Sequence, residues 1–228
     1  MSDSIVLGNG IEVRLRRSSR ARRMTLRVPR AGGEAVLTLP DSASLTDGRR
    51  FAEEKRDWLQ YAIARRPLER RVAPGVAVPV AGRPRVVTPA ELPCPRLQED
   101  RLLCPARKSV GPVVRAFLRH YAHQQLQGAC DRHSAALGRG YRVIALRDTR
   151  SRWGSCSSDG RLMFSWRLAM APPEVLDYVA AHEVAHLAHM DHSARFWAQV
   201  AALMPDFQAS RSWLRNHGND LMIWKFRD

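Results

Sequence analysis

The stretch AHEVAHLAHMDHSARFW, residues 181–197, places His182, His186, His189 and His192 within eleven positions. Imidazole nitrogen is a ligand for zinc and several other first-row metals, so the spacing decides which rings could share an ion. His182, Glu183 and His186 spell H-E-x-x-H. On a helix, positions i and i+4 lie about 40° apart and one turn up, so both rings face the same side. Their nitrogens can then meet one zinc ion at ~2.0–2.1 Å. Glu183 stands one residue past the first ligand, where its carboxylate can reach a water at the metal without ligating the metal itself.

A catalytic zinc usually takes three protein ligands and keeps one position open. His189 is a poor third ligand: on a continued helix it would sit roughly 10 Å along the axis from His182. The third ligand must come from chain that has turned back. His192 follows His186 by six residues, past an expected break near Met190 and Asp191. That is the ligand spacing of H-E-x-x-H-x-x-G-x-x-H, with His189 in the place of the turn glycine. Histidine enters the left-handed region more readily than most residues, so a turn is expected at 189 or nearer 191. No glutamate follows Glu183, which removes schemes that take a late glutamate. Asp191, Asp206 and His217 stand as outside alternatives, and His189 is expected outside the ligand set.

The ligands need a helix, and EVLDYVAAHEVAHLAH supplies one, opened by Pro172 and Pro173 at a position where a missing N–H costs nothing. SARFWAQVAALM reads as the next helix, with Ser193 as its cap and Phe196, Trp197, Val200, Leu203 and Met204 inward. Upstream, YRVIALRD and RLMFSWRL read as two strands of a β-hairpin joined by the turn-rich SRWGSCSSDG. Residues 112–137 read as a long amphipathic helix with Val113, Phe117, Tyr121, Leu126 and Ala129 on its stripe, closed by Gly138 and Gly140. His120, His123 and His133 on it are expected to be surface or core fillers. Residues 67–112, rich in Pro and Gly, suggest a small β region or hairpin. Residues 44–66 read as a helix capped by Ser44 or Thr46, with Phe51, Trp58, Leu59, Ala62 and Ile63 at helical spacing. IEVRLRR, MTLRV and AVLTL alternate as strands of a small antiparallel meander, with AGGE as a turn. The resulting expectation is an α+β chain with two parts, a β-rich region with one helix over 1–110 and a metal-site domain over 111–228.

The chain has 228 residues, 45% hydrophobic, enough for a buried core. It carries no apolar run long enough for a membrane span and no signal-like start, so a cytoplasmic protein without a membrane partner is expected. Cys94, Cys104, Cys130 and Cys156 form no C-x-x-C pair and are expected to be reduced. The net charge is +15, almost all from arginine, and eight arginines lie from Arg14 to Arg30. An excess over 22 acids admits a polyanion partner such as nucleic acid through an Arg-rich surface. The plainer reading is outward strand positions on a solvated face.

RWGSCSSDGRL, SWRLAMAPPEVLDYVAAHEVAHLAHMDHSARFW and LMPDF together resemble the YgjP-like metallopeptidases, relatives of the SprT and Wss1 groups. The resemblance is detailed over 147–215 and looser over the N-terminal strands and KRDWL at 55–59. It implies a zincin-like metallopeptidase domain with an HExxH active-site helix and an N-terminal antiparallel β-rich portion. It also implies one zinc per chain on His182, His186 and His192, with Glu183 catalytic. Ser165 departs from the pattern, because many members carry Asn before the tryptophan. The reaction so implied is peptide-bond hydrolysis of a peptide or protein, and the SprT and Wss1 relatives suggest DNA-bound protein substrates.

For such a reaction, Arg152 or the Ser155 hydroxyl could steady an oxyanion, as could a residue after the third ligand. Arg150 is as readily plain loop charge. Trp153 could line a cleft, Trp166 is expected in the core, and the strand LMFSW could offer its edge to an extended peptide. Cys156 could occupy the open metal position. Asp177, on the same helix, could lie one turn before the metal ligands or equally be a solvated residue, and is left out of the site. Two rival readings remain at this level. One is a basic nucleic-acid-associated protein with a closed structural zinc site. The other is a protease recruited to DNA.

Overall fold

The computed structural model describes residues 3–29, 33–65, 68–149 and 151–227. Two compact units divide the chain, Met1–Glu69 and Arg70–Asp228. The expected boundary at 110/111 therefore falls inside the second unit. Arg70-Arg71 (β5) already belongs there, because it pairs in parallel with Trp224-Lys225 (β13) at the far end of the chain.

In the first unit, Ser4–Val6 (β1), Glu12–Arg17 (β2), Thr25–Arg27 (β3) and Ala35–Leu39 (β4) form one sheet in the order β1-β2-β4-β3. It is not the expected antiparallel meander, because β2 and β4 run parallel. AVLTL carries no charge and is nearly all buried, so it takes an inner position. The short TLR strand, with its exposed arginine, is left at the edge, where charge blunts pairing with another chain. Residues 31–32 of the expected AGGE turn, like Arg30, lie outside the described residues. Two helices, Leu45–Glu54 (α1) and Arg56–Ala64 (α2), replace the single helix expected. Ser44 caps α1 by accepting from the Asp47 N–H. Gly48 lets α1 lie close to the sheet, since a Cβ there would come 2.9 Å from a Leu39 methyl. The core is Leu7, Val13, Ala35, Leu37, Leu39, Ala52 and Leu59, whereas Trp58, read as inward, is 46% exposed.

The second unit opens with a four-stranded sheet in the order β6-β7-β9-β8, made of Ala77–Val80 (β6), Arg83–Ala90 (β7), Arg96–Leu97 (β8) and Arg101–Pro105 (β9). The β6–β7 hairpin turns on Ala81 and Gly82, both at positive φ, as a type I′ turn requires. This tip positions the site helix. The Ala81 and Gly82 N–H groups donate to the carbonyls of Ala169 and Met170. A Cβ on Gly82 would strike the Pro172 backbone at 2.9 Å.

Val110–Leu137 (α3) spans 28 residues and ends on Gly138 in the left-handed conformation. Its buried stripe is Val114, Leu118, Ala122, Leu126 and Ala129. Val113, Phe117 and Tyr121, read as the stripe from sequence, flank it and are only partly buried. Val143–Arg147 (β10) and Arg161–Ser165 (β12) pair in parallel rather than as a hairpin. The hairpin is instead Gly154–Cys156 (β11) with β12, so the segment read as a turn-rich loop holds an edge strand. After a 3-10 turn at Trp166–Met170 come Pro173–Ala185 (α4), Ala194–Leu203 (α5) and Phe207–Met222 (α6). No helix among the described residues is long and apolar enough to cross a membrane.

One core runs through this unit, and α4 lies in it, with Val175, Leu176, Val179, Ala180, Ala181, Val184 and Ala185 all buried. Asp177 is not merely solvated. Its Oδ1 takes hydrogen bonds from Arg132 at 2.9 Å and from His133 Nε2 at 3.1 Å on α3. His133 holds the Asp177 carboxyl below its ordinary value, against burial, with Arg132 adding to the effect. A depressed carboxyl contributes stability above its unfolded pKa of about 3.9 and loses it as pH falls through the folded value. Asp177→Ala is expected to cost about 1–3 kcal/mol in denaturant unfolding at pH 7. Its deficit should shrink as the pH is taken below about 4, and a constant deficit across that range would contradict this reading.

Candidate metal centre

α4 starts on Pro173 with Pro172 at the cap, as the sequence predicts, but stops at Ala185 and does not continue to His189. The stop is made by short-range hydrogen bonds. Leu187 N–H donates to Val184 and Ala188 N–H to Ala185, which tightens the last turn into 3-10 form. No residue from 186 to 192 has a positive φ, so the expected left-handed turn at 189 or 191 is absent. Arg139, just past α3, clamps the exit by donating to the Leu187 carbonyl at 2.6 Å. Asp191 accepts from the Ser193 N–H and starts the return. Ser193 sits at the cap position of α5 without a side-chain capping bond.

This reversal brings His192 back over the helix. One ring nitrogen from each of His182, His186 and His192 forms a group lying within 4.8 Å of one another. The His182 and His192 Nε2 atoms are 3.3 Å apart. Two ligand atoms of a tetrahedral zinc at ~2.0–2.1 Å are about 3.3–3.4 Å apart, so this edge already has the dimension of a metal tetrahedron. His186 Nδ1 lies 2.9 Å from the His189 carbonyl oxygen. A carbonyl only accepts, so the proton is on Nδ1 and the Nε2 lone pair is free for a metal. His189 therefore serves through its backbone, outside the ligand set.

Two of the donors, His182 and His186, are biased toward the state a metal needs. Burial lowers the His182 pKa to about 4, helped by His186, His192 and Arg211. Burial also lowers that of His186, partly offset by its bond to the His189 carbonyl. Neutral imidazole is the ligating form. The side chain that seats all three rings is Phe196, fully buried on α5. Its centroid is 4.9 Å from His182, 4.4 Å from His186 and 4.8 Å from His192. Sequence reading put Phe196 on the buried side of its helix but gave no sign that it touches all three. Trp197 flanks His182 and His192 at 5.7 and 6.0 Å, and the Arg211 guanidinium caps the Trp197 ring at 4.3 Å.

Glu183 is 5% exposed and is backed by Gly154 of β11. A Cβ at 154 would fall 2.4 Å from Glu183 Oε1, so only glycine leaves room for the carboxylate. Burial raises the Glu183 pKa to about 8, opposed by Arg152. A divalent cation held by the adjacent histidines would act in the opposite direction. A cavity of about 220 Å³ opens here, lined by Trp153, Gly154, Tyr178, Val179, His182, Glu183 and Leu214. Tyr178, one turn before His182, was not named from sequence, although its i−4 spacing is a signal that could have found it; Gly154 and Leu214 gave no sequence signal.

Of the other residues named from sequence, Trp153 both lines this cavity and packs on Gly218 of α6. Arg152 is exposed and acts on Glu183 by its charge. Ser155 is not among the lining residues, and strand alternation turns its side chain away from the face that Gly154 presents to Glu183. Arg150 lies outside the described residues. Trp166 is a core residue, 1% exposed. Cys156 is outside the ligand group; burial, with Glu183 and Asp159, pushes its thiol up to about 11. Asp191, Asp206 and His217 are not in the ligand group either. The strand LMFSW cannot offer a free edge, because β12 lies between β10 and β11. The edge nearest Glu183 is β11.

The family model described as YgjP-like, metallopeptidase domain, matches residues 22–217. The chain belongs to this metallopeptidase family. Membership implies a metal cofactor, and the three-histidine group is a set that could bind one ion. Among solved structures, the metallopeptidase zymogen of Pyrococcus abyssi abylysin aligns at 22% identity with a TM-score of 0.36, covering 41% of this chain and 92% of that one. At that TM-score the likeness carries no weight for fold or mechanism. No curated protein matches the chain.

If Phe196 seats the ligands, Phe196→Leu, which keeps an apolar side chain but removes the flat ring, should weaken zinc binding by roughly 10-fold or more in a competitive chelator titration. Unchanged affinity would show that the three rings hold their positions without it.

Proposed function

We propose that this chain is a zinc-dependent peptidase of zincin type, with the ion on His182, His186 and His192 and Glu183 as general base. The observation that carries the reading is a buried carboxylate one residue from the first member of a three-histidine cluster whose His182–His192 edge, 3.3 Å, matches a metal tetrahedron. A purely structural site has no use for such a group. When bound, zinc supplies a Lewis acid that polarises a carbonyl and brings the pKa of water there toward ~7.

The remaining work falls to the chain. Glu183 takes the proton of the attacking water on a carboxylate oxygen and later delivers it to the leaving amine. Gly154 sets where that carboxylate stands. β11 offers the substrate a backbone edge. In its antiparallel ladder, Trp153 and Ser157 make the hydrogen bonds to β12, so alternation directs the N–H and C=O of Gly154 and Cys156 outward. An extended peptide pairing there would run past Glu183. Arg152, on the same segment and already acting on Glu183 by its charge, would favour developing negative charge. The rival, a closed structural zinc centre, needs a fourth side-chain ligand, and the group found among the described residues has three.

Glu183→Gln should keep its zinc and lose about 10²–10⁴-fold in kcat on an unstructured protein such as casein. Gly154→Ala should also keep its zinc but lose activity, because its Cβ would displace the carboxylate. Full activity in Glu183→Gln would overturn the general-base role.

A further inference from the structure

We propose that the open face of the N-terminal sheet is a docking surface for the phosphate backbone of duplex nucleic acid. The proposal stands apart from peptide hydrolysis and concerns the unit that lacks the metal site. From residue 13 to residue 33 the sequence holds eight arginines and no Asp or Glu. The register sorts them. One face of the sheet packs on the core through Val13, Leu15, Leu26, Ala35, Leu37 and Leu39. On the other face, Arg14 is level with Val36 and Arg27, and Arg16 is level with Thr38 and Thr25.

With strands ~4.8 Å apart and ~3.3 Å per residue, Arg14, Arg16 and Arg27 lie within about 12 Å of one another at the backbone. All three are exposed. Arg16 and Arg27 have no ion-pair partner among the described residues. The Arg14 contact with Glu34, 4.0 Å long and half-exposed at both ends, is worth little in water.

The charge on this face is also ordered along the strands. Glu12 and Glu34 stand at the end where β2 and β4 begin. The opposite end carries Arg16 and the 18–24 connection with exposed Arg20, Arg22 and Arg23. Arg17, by contrast, is engaged within its own unit, donating to the carbonyls of Pro40, Asp41 and Ala43. A field of one sign over the arginine end of the face suits a regular line of phosphates, and guanidinium is the group best matched to them. The face carries no aromatic side chain for stacking on bases, so recognition is of the backbone, independent of sequence and governed by salt.

The test is binding of the full-length protein to a short duplex DNA by fluorescence anisotropy, over ~50 to ~200 mM salt. Three variants are compared with wild type. One is Arg14→Gln, Arg16→Gln, Arg27→Gln. The second converts the same three positions to Lys. The third, with the same charge loss on the other unit, is Arg107→Gln, Arg119→Gln, Arg227→Gln.

Three lost phosphate contacts should flatten the slope of log K against log salt by about 2.7. Wild type should therefore lose about 40-fold more affinity than the first variant over that salt range. The Lys variant and the third variant should keep the wild-type slope. Absence of duplex binding at ~50 mM salt overturns the proposal. So does an unchanged slope in the first variant, or equal flattening in the third, which would assign the binding to net charge alone. Glu183→Gln should bind as wild type does, so failure here and failure of the peptidase reading are separable.

Discussion

A metal centre on three histidines needs three imidazole lone pairs aimed at one point, and a helix alone can aim only two. Everything around the site follows from that constraint. α4 supplies His182 and His186 one turn apart, and must then stop so that the chain can return with His192. The stop depends on 3-10 hydrogen bonds at Val184 and Ala185 and on the Arg139 clamp. The return is stabilised by Phe196, whose ring touches all three ligands. The His182 and His192 Nε2 atoms, 3.3 Å apart, can share one proton in the bare protein, and a bound cation would take its place.

The rest of the second unit holds this assembly from outside. The β6–β7 tip is hydrogen-bonded to the 3-10 turn that precedes α4 and lies against Pro172. Asp177 ties the middle of α4 to α3. Arg167, 6% exposed, donates to Asp148 and to the carbonyls of Leu221 and Trp224. It thereby fixes the end of α6 and β13 to the turn below the site. Gly154 then presses β11 against Glu183, so the proposed general base and the strand edge proposed to receive substrate are set by one contact.

Much of the site was legible because its signals are local. Four-residue spacing on an apolar helix is enough to pair His182 with His186. Helix rise counts against His189 only on a helix that continues, whereas α4 in fact stops at Ala185 and His189 instead serves through its carbonyl. The six-residue step favoured His192 over Asp191, Asp206 and His217. What stayed hidden depends on distant chain. β11 lies in a Gly- and Ser-rich segment without alternation, so the parallel β10–β12 pairing could not be seen and the wrong strand was given the free edge. The unit boundary is set by Arg70-Arg71 pairing with Trp224-Lys225, which no local pattern announces. On α3, Val113, Phe117 and Tyr121 follow helical spacing as well as Val114, Leu118 and Ala122 do. Only packing against the 3-10 turn and α4 separates core from flank.

The most direct test of the central claim is the zinc content of purified wild type and His192→Ala, by elemental analysis after dialysis against metal-free buffer. The account predicts close to one zinc per chain in wild type and a largely empty variant that remains folded. A His192→Ala protein that retains its full zinc would contradict the three-histidine centre. A wild type that holds no zinc would contradict the choice of metal.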